Sequence, residues 1–466
     1  MKLQFWLLLT AASLCISQMH AAEDQAPLPS ANPSVAPTHE LSPPKIEAGP
    51  ISPPALQALA TSAEKELREN ILPFWLKYAR APERGGFHSF IGEDMIVRDD
   101  MPRGALLTTR ILWAFSAAYR HYPDPAYLAM ARYAYADLTK NFWDQANGGL
   151  FWTITPEGKP LDAHKQIYGQ VFGIYALTEY YRASGDKAAL DQAIAIYRLI
   201  EKYARDPKYD GYFDALDQKW QRETDRHSNL LGEAPKSQNS HIHILEGFSS
   251  LLRVWPDPGL RQRQRELVEL MLTRIIDPKT HHLILFMRDD WTPIGHDVSY
   301  GHDIELSWLL VEAAEVLGDP ALIAKAKREA LAIAKVTAQE GVDADGGVYT
   351  EGNPQGPTNT NKEWWEQAES AVGFLNAYQL SGEAKDFNQS LKSWTFIQEK
   401  FVDRKNGGWH NMLRRDGSPI LNTTLPNGQI IPTGKLSLWK CPYHNSRCCL
   451  ELIDRISALQ NEKSTP

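Results

Sequence analysis

The chain has 466 residues, of which 43% are hydrophobic and 23% are charged, a balance that excludes collagen-like, coiled-coil and wholly disordered proteins. Its formal net charge of −8 argues against a nucleic-acid binder that works through a basic surface. Aromatic residues reach 10%, with 14 Trp, and aromatic faces stack on sugar rings, so a carbohydrate-related function is a reasonable first hypothesis.

The first residues form a targeting pattern. A basic residue is followed by an apolar run over 3–16 and then by small residues, which is typical of a secretory signal peptide and predicts one over residues 1–22. Residues 23–54 are rich in Pro, Ser and Ala and poor in bulky apolar side chains, so they are expected to form a disordered linker. The folded domain is expected over 55–466. The protein is expected to be exported, to the periplasm or beyond, with no membrane span.

A short turn motif, in which a polar residue and Gly precede an apolar or aromatic residue, recurs along the chain. Counting one degenerate copy, it occurs around Gly85, Gly148, Gly211, Leu283, Gly346 and Gly407. The spacings are 63, 63, 72, 63 and 61 residues, which indicates an architecture built from repeats. Because Gly supplies the positive φ that tight turns need, each copy predicts a short β-hairpin.

Each interval between copies holds two helical patterns, an almost wholly apolar one and then an amphipathic one. The clearest pairs are 105–120 with 125–141, 167–183 with 187–203, and 302–317 with 320–338. A buried helix followed by an exposed one in six repeats predicts an all-α protein. The expected fold is an (α/α)6 barrel of six inner and six outer helices with short β-hairpin loops, and an open helical solenoid is the alternative.

The buried helices open with polar and aromatic residues, where apolar residues would be expected. One representative of each cluster shows the regularity: Arg110, Tyr168, His243, His302, Trp365 and His444. Since all inner helices of a barrel start at the same end, these clusters are predicted to line one cavity mouth. Further candidates in the same segments are Asn239, Glu246, Glu305, Trp364, Glu369 and Trp439.

The spacing within the clusters favours histidine chemistry. His243 and Glu246 are three residues apart, as are His302 and Glu305, so each imidazole is expected to lie beside a carboxylate. Histidine can take and return a proton near neutral pH, which suits proton transfer next to a carbonyl. Sugar epimerisation and aldose–ketose isomerisation are reactions of this kind, and they need no cofactor. Paired carboxylates, drawn from these Glu and Glu369, would instead suit a glycoside hydrolase.

The remaining histidine and the cysteines are predicted to be structural. His241 lies two residues from His243 and therefore points in another direction, which predicts a satisfied structural histidine. Three His could hold zinc, but no local pairing of ligands supports this, so no metal site is expected. Cys441, Cys448 and Cys449 do not make a disulfide framework and are predicted to be small buried residues.

These segments resemble the N-acylglucosamine 2-epimerase superfamily and, within it, the cellobiose 2-epimerases. The resemblance covers roughly residues 55–460, and the matching segments are 109–113, 168–170, 239–246, 301–305, 362–369 and 439–445. It implies an (α/α)6 barrel, in agreement with the repeats. It also implies that His302 and His444 form a general acid/base pair, and that His243 assists ring opening or orients the reducing sugar.

The resemblance further implies a sugar-binding set. That set is Arg110, Tyr168, Asn239, Glu246, Glu305, Trp364, Trp365, Glu369 and Trp439. The Trp364-Trp365 doublet favours the disaccharide enzymes, since an extra aromatic platform suits a second sugar ring. The implied reaction is 2-epimerisation of the reducing-end sugar of β-1,4-linked disaccharides, cellobiose to glucosyl-mannose, through a cis-enediol.

Other functions remain compatible with these residues. They are a mannobiose 2-epimerase or an aldose–ketose isomerase of the same superfamily, an (α/α)6 glycoside hydrolase acting through Glu305 or Glu369, and a non-catalytic exported sugar-binding protein. The expected partner is a disaccharide or oligosaccharide substrate. No cofactor, no metal and no nucleic acid is expected, and the protein is expected to be a monomer.

Overall fold

The structure, a computed structural model, describes residues 51–222, 234–424 and 428–462. The predicted signal peptide and most of the predicted linker lie outside these residues, so export stays a prediction. The first helix begins at Pro53, close to the predicted start of the domain. Within the described ranges, no helix combines the length and the apolar character needed to cross a bilayer.

Six inner helices form a closed ring in the described chain. They are Ala105–His121, Ile167–Ser184, Gln238–Val254, Tyr300–Leu317, Trp364–Ser381 and Tyr443–Glu462, called the first to sixth inner helices below. Each packs against the next, and the sixth packs against the first. This closure excludes the open solenoid and confirms the predicted (α/α)6 barrel. The predicted helix starts agree with the observed ones to within two residues. The predictions 125–141 and 187–203 end four residues after the observed α-helices, because the π-helical turns Leu138–Phe142 and Ile200–Ala204 continue these helices.

The outer layer covers this ring. Its helices are Pro53–Glu66, Pro125–Asp137, Lys187–Leu199, Pro258–Leu270, Pro320–Glu340 and Ala384–Phe396. The sequence predicted that an outer helix follows every inner helix, and this is wrong for the sixth. Pro53–Glu66 packs against the sixth inner helix instead, so a helix from the start of the folded chain covers the apolar face of the last repeat.

The helix starts have local causes. Four outer helices are N-capped by an aspartate whose carboxylate accepts a backbone N–H, namely Asp124, Asp186, Asp257 and Asp319. In three of them Pro follows directly, where its missing N–H has no helical partner to lose. These signals are why the boundaries could be predicted.

The turn motif forms a hairpin-like bridge in all six copies. The bridged pairs are Arg80 with Phe87, Trp143 with Leu150, Arg205 with Tyr212, Ile276 with Leu283, Val342 with Val348, and Val402 with Trp409. In the degenerate copy His281 adopts a φ of 63°, the left-handed conformation that Gly148 adopts at 74° in an intact copy. The turn geometry is therefore kept where the glycine is lost.

Buried ion pairs tie these turns to the strands that lead into the inner helices. The pairs are Lys165–Asp144, Lys236–Asp206, Lys362–Asp343 and Lys435–Asp403. All four lysine side chains have 0% exposure. The sequence did not predict these pairs, because each joins residues that are about 20–30 positions apart in the chain.

Replacing Lys165 with alanine is expected to destabilise the fold by about 3–5 kcal/mol, because it leaves the Asp144 carboxylate buried and unpaired. Burial raises the pKa of Asp144, but hydrogen bonds from Lys165 and Asn147 outweigh burial and lower it to about 2. Chemical denaturation of K165A measures the loss. K159A, at an exposed lysine, is the control and should change stability by less than about 0.5 kcal/mol. Equal midpoints for K165A and wild type would contradict this role.

Candidate active site

The predicted site residues lie in two layers at the amino-terminal end of the inner ring. Tyr168, Asn239, His302, Trp365 and His444 lie within the first three positions of their helices. Arg110, His243, Glu305 and Glu369 each lie five positions after the first residue of theirs. These residues come from all six inner helices, so the structure brings the predicted clusters together at one end of the ring.

His444 is held by a carboxylate. Its Nδ1 lies 2.7 Å from Oε1 of Glu369, and the residue is 5% exposed. Because Glu369 also accepts hydrogen bonds from Arg447 and Trp308, it acts as an acceptor toward His444, which places the hydrogen on Nδ1 and the lone pair on Nε2. Burial, with Arg110 and Arg447 nearby, lowers the pKa of His444 well below its usual range. The imidazole is therefore neutral, and its Nε2 can accept a proton.

His302 has a different partner from the predicted one. Its Nδ1 lies 2.7 Å from Oγ of Ser299, and its ring lies 4.6 Å from that of Trp365. The predicted pairing with Glu305 is wrong, because the Glu305 carboxylate lies deeper in the ring and bonds to Arg447 at 2.6 Å. Burial is the main cause that lowers the pKa of His302 to about 3. This imidazole is neutral too, but among the described residues no carboxylate is hydrogen-bonded to it.

His243 pairs with Glu246 as predicted, with Nδ1 2.9 Å from Oε2. The other oxygen of Glu246 accepts hydrogen bonds from Tyr443 and Arg447. Both oxygens are thus engaged by the protein, so Glu246 positions the imidazole, and the sugar contact implied by the resemblance stays a prediction. Burial lowers the pKa of His243 as well.

Arg447 joins the carboxylates of three inner helices. Its guanidinium donates to Glu246 and, at 2.6 Å each, to Glu305 and Glu369. The residue is 1% exposed. Arg447 was not among the site residues predicted from the sequence. Its position three residues after His444, on the same helix face, is the signal that could have marked it.

Glu305 lies where three carboxylates share one guanidinium. Burial and the neighbouring Glu369 raise the pKa of Glu305 to about 8, so it carries a proton at neutral pH. Its Oε2 is buried without a hydrogen-bond partner among the described residues. A protonated carboxyl in this position can donate a hydrogen bond to a bound sugar.

Arg110 is a buried cation inside an aromatic cage. Its Nη2 donates to the hydroxyl of Tyr168 at 2.6 Å. Its guanidinium carbon lies 4.2 Å from the ring centre of Phe172 and 4.9 Å from that of Tyr443. In the described part of the chain it forms no ion pair with a carboxylate, and its Nε has no partner. A preorganised cation without a counter-ion is suited to stabilise an oxyanion.

Two tryptophans border the site. The Trp365 ring lies 4.6 Å from that of His302 and 5.6 Å from that of His444, so it bridges the two imidazoles. Trp439 lies 5.9 Å from Tyr168 on another side. Both side chains are partly exposed, which suits faces that receive a sugar ring.

The residues predicted to be structural behave as such. Nδ1 of His241 lies 2.7 Å from the carbonyl oxygen of Ser237, and its Nε2 accepts the backbone N–H of Tyr212 at 3.0 Å. The equivalent positions of other inner helices bind the preceding turns in the same way, through Gln170, Asp303 and Gln367. The cysteines Cys441, Cys448 and Cys449 are free and buried.

One group of these residues has metal-ligand geometry. The ligand atoms of Glu305, Glu369 and His444 lie within 4.8 Å of one another. However, Arg447 donates hydrogen bonds to both carboxylates, so a metal ion would have to displace its guanidinium. The donor set thus fits a guanidinium better than a metal ion.

The chain is similar to known carbohydrate epimerases and isomerases. The family model for N-acylglucosamine 2-epimerase (GlcNAc 2-epimerase) matches residues 85–431. A cellobiose 2-epimerase of Bacteroides fragilis is 40% identical over 401 residues, which are 85% of this chain and 99% of that protein. A D-mannose isomerase of Marinomonas mediterranea is 22% identical over 405 residues, which are 84% of this chain and 96% of that protein.

Solved structures agree with these relatives. The cellobiose 2-epimerase from Bacillus thermoamylovorans B4167 matches with a TM-score of 0.78 and 34% sequence identity, over 86% of this chain and 100% of that chain. The resemblance to the cellobiose 2-epimerases that the sequence motifs predicted is therefore confirmed over most of the chain.

Proposed function

Because the chain belongs to the N-acylglucosamine 2-epimerase family and is a carbohydrate epimerase or isomerase, we propose that it inverts C2 of the reducing-end sugar of β-1,4-linked disaccharides and converts cellobiose to glucosyl-mannose. The observation that carries this proposal is the pair of neutral imidazoles, His302 and His444, on either side of Trp365. Neither Nε2 has a hydrogen-bond partner among the described residues, so both are available to a substrate.

The first step is ring opening to the aldehyde. His243 lies beside Tyr168, with ring centres 4.9 Å apart, and Tyr168 bonds to Arg110. We assign this side of the site to C1 of the sugar. His243 accepts the proton of the anomeric hydroxyl while the C1–O5 bond breaks and the C1=O double bond forms, and it then gives this proton to the ring oxygen O5. Glu246 stabilises the positive charge on His243 through Nδ1.

The second step removes the proton on C2. Nε2 of His444 takes this proton, and the electron pair of the C–H bond forms the C1–C2 double bond of a cis-enediolate. The carboxylate of Glu369 stabilises the imidazolium that results, while Arg110 stabilises the negative charge on O1. His302 has only a hydroxyl partner, and we assign it the role of hydrogen-bond donor to an enediolate oxygen.

The third step returns a proton to the opposite face of C2. Rotation about the C2–C3 bond presents that face to His444, which gives the proton back and becomes neutral again. This assignment follows from the hydrogen-bond partners, because a carboxylate on Nδ1 can stabilise the imidazolium of His444 once it has taken the proton, whereas Nδ1 of His302 has a hydroxyl partner. Trp365 and Trp439 provide the faces on which sugar rings stack during the rotation.

The test is product analysis by NMR and chromatography, with cellobiose and 4-O-β-mannosyl-mannose as substrates. The proposal predicts the C2 epimer of each disaccharide that is accepted, and the relative rates identify the preferred one. A ketose product would instead make the protein an isomerase, because the same enediolate protonated at C1 gives a ketose. Free monosaccharides would show hydrolysis, and no change with either sugar would refute disaccharide epimerisation.

The buried histidines give the reaction an unusual pH dependence. Since burial lowers the pKa of His302 to about 3 and that of His444 well below its usual range, protonation inactivates them only in strong acid. We expect kcat/KM for cellobiose to stay within about twofold from pH 7.5 to pH 5, where a histidine of ordinary pKa would lose about thirtyfold. Initial rates measured in one mixed buffer, with circular dichroism at each pH to verify the fold, check this. An acid limb with its midpoint near pH 6.5 would contradict it.

A further inference from the structure

Trp365 contacts both histidines of the proposed site, so its orientation matters for the reaction. The indole Nε1 of Trp365 donates a hydrogen bond to Oε2 of Glu363 at 2.8 Å. The direct neighbour Trp364 has no such bond: its Nε1 is buried without a partner in the described chain, and its face packs on Lys440, with Nζ 4.5 Å from the ring centre. Of the two adjacent tryptophans, the one beside the imidazoles is the one whose polar edge is fixed.

The opposite edge of the same indole is fixed by close packing. A Cβ atom added at Gly301 would lie 2.7 Å from Cη2 of Trp365, closer than real Cβ contacts. Gly301 directly precedes His302 in the fourth inner helix. The indole therefore lies against the backbone of the helix that carries one imidazole, and this contact leaves it little room to shift toward that helix.

Glu363 is itself well anchored. It is the N-cap residue of the fifth inner helix, and its backbone N–H donates to Oε2 of Glu366 at 2.9 Å. Its side chain is only partly exposed, so the bond to Trp365 is sheltered from competing water. The acceptor thus has a defined position relative to the helix that carries Trp365 and Glu369.

We propose that Glu363 is a positioning residue that fixes the plane of Trp365 across His302 and His444, and through it the alignment of the reducing-end sugar with the proton-transferring atoms. This inference rests on the proposed epimerase function. Without the acceptor, the indole can rotate about its side-chain torsions, and the sugar stacked on it loses its alignment with Nε2 of His444. Small misplacements of this kind are costly for the chemical step.

Two substitutions separate this role from capping of the helix. E363Q keeps a side-chain carbonyl oxygen at the same reach, so it should preserve the bond to the indole and retain activity within about threefold. E363S keeps a favoured N-cap residue but is too short to reach Trp365. We expect E363S to lower kcat for cellobiose by about tenfold, with a thermal midpoint close to that of E363Q.

A double-variant comparison tests whether Glu363 acts through Trp365. W365F keeps an aromatic face but has no N–H to donate. In the W365F background, E363S should change kcat by less than about twofold, because the interaction it removes is already absent. If the losses of E363S and W365F instead multiply in the double variant, or if E363S is as active as wild type, the proposal is wrong.

A spectroscopic readout keeps this test independent of catalysis. In protein labelled with 15N at the indoles, the Nε1–H resonance of Trp365 is the one missing from W365F. It should shift and exchange faster with solvent in E363S and stay near its wild-type position in E363Q. An unchanged resonance in E363S would overturn the proposal. Because this signal needs no turnover, it separates failure of this inference from failure of the proposed epimerase activity.

Discussion

Replacing His444 with alanine is expected to reduce the turnover of cellobiose by about 10²–10⁴-fold, the range for loss of a general acid or base. Of the two imidazoles beside Trp365, His444 is the one with a carboxylate on Nδ1, at 2.7 Å from Glu369. Removing it takes away both the group that accepts the C2 proton and the group that returns it. Steady-state kinetics on purified H444A, with KM determined separately, measures the loss.

Two further variants, one in the site and one outside it, serve as comparisons for H444A. H302A is expected to lose about 10²-fold, since it removes a donor to the enediolate but leaves the proton-transferring imidazole in place. H296A replaces an exposed histidine outside the site and should keep wild-type turnover. If H444A retained near-full activity while remaining folded, the assignment of proton transfer to His444 would be wrong.

Replacing Arg447 with methionine is expected to be the most destabilising single change in the site. It leaves Glu246, Glu305 and Glu369 buried together without their shared cation. Breaking one buried pair costs about 3–5 kcal/mol, and three carboxylates depend on this guanidinium. Chemical denaturation and the activity assay measure the two consequences.

The loss in R447M should depend on pH in a defined direction. Without the guanidinium, the buried carboxyls have folded-state pKa values above those of the unfolded chain, so protonation stabilises the fold and stability falls as pH rises. R447M should therefore be closer to wild type at pH 5 than at pH 8. R288M, at an exposed arginine, is the matched control. A wild-type midpoint for R447M at pH 8 would refute the proposed role of Arg447 as the shared counter-ion.

The fold could be predicted because its signals are local. The turn motif, the aspartate N-caps and the alternation of apolar and amphipathic helices are each read within a few residues. The degenerate copy at His281 was recognised from its surroundings and takes the same left-handed turn. What could not be predicted was which helix completes the outer layer. Pro53–Glu66 packs against the sixth inner helix, although the two lie at opposite ends of the folded chain.

The candidate site was predicted only in part, because some of its contacts lie within one helix and others join different helices. Helical spacing shows which residues share a face, and it correctly paired His243 with Glu246. It failed for His302, because this imidazole bonds to Ser299 at the start of its own helix, while Glu305 bonds to Arg447 of the sixth inner helix. Spacing within its own helix could mark Arg447 as a neighbour of His444, but it could not reveal the carboxylate partners, which lie on other inner helices.

The most direct test of the whole account is NMR of cellobiose incubated with the protein in D2O until the reaction reaches equilibrium. The account predicts glucosyl-mannose, with deuterium accumulating at C2 of both epimers and at no other carbon, because each pass places the C2 proton on an imidazole that exchanges with solvent. H444A should show neither the epimer nor the label at this time. An epimer whose C2 keeps its protium through equilibrium would contradict proton transfer at C2, and free glucose without any epimer would point to hydrolysis by the carboxylates.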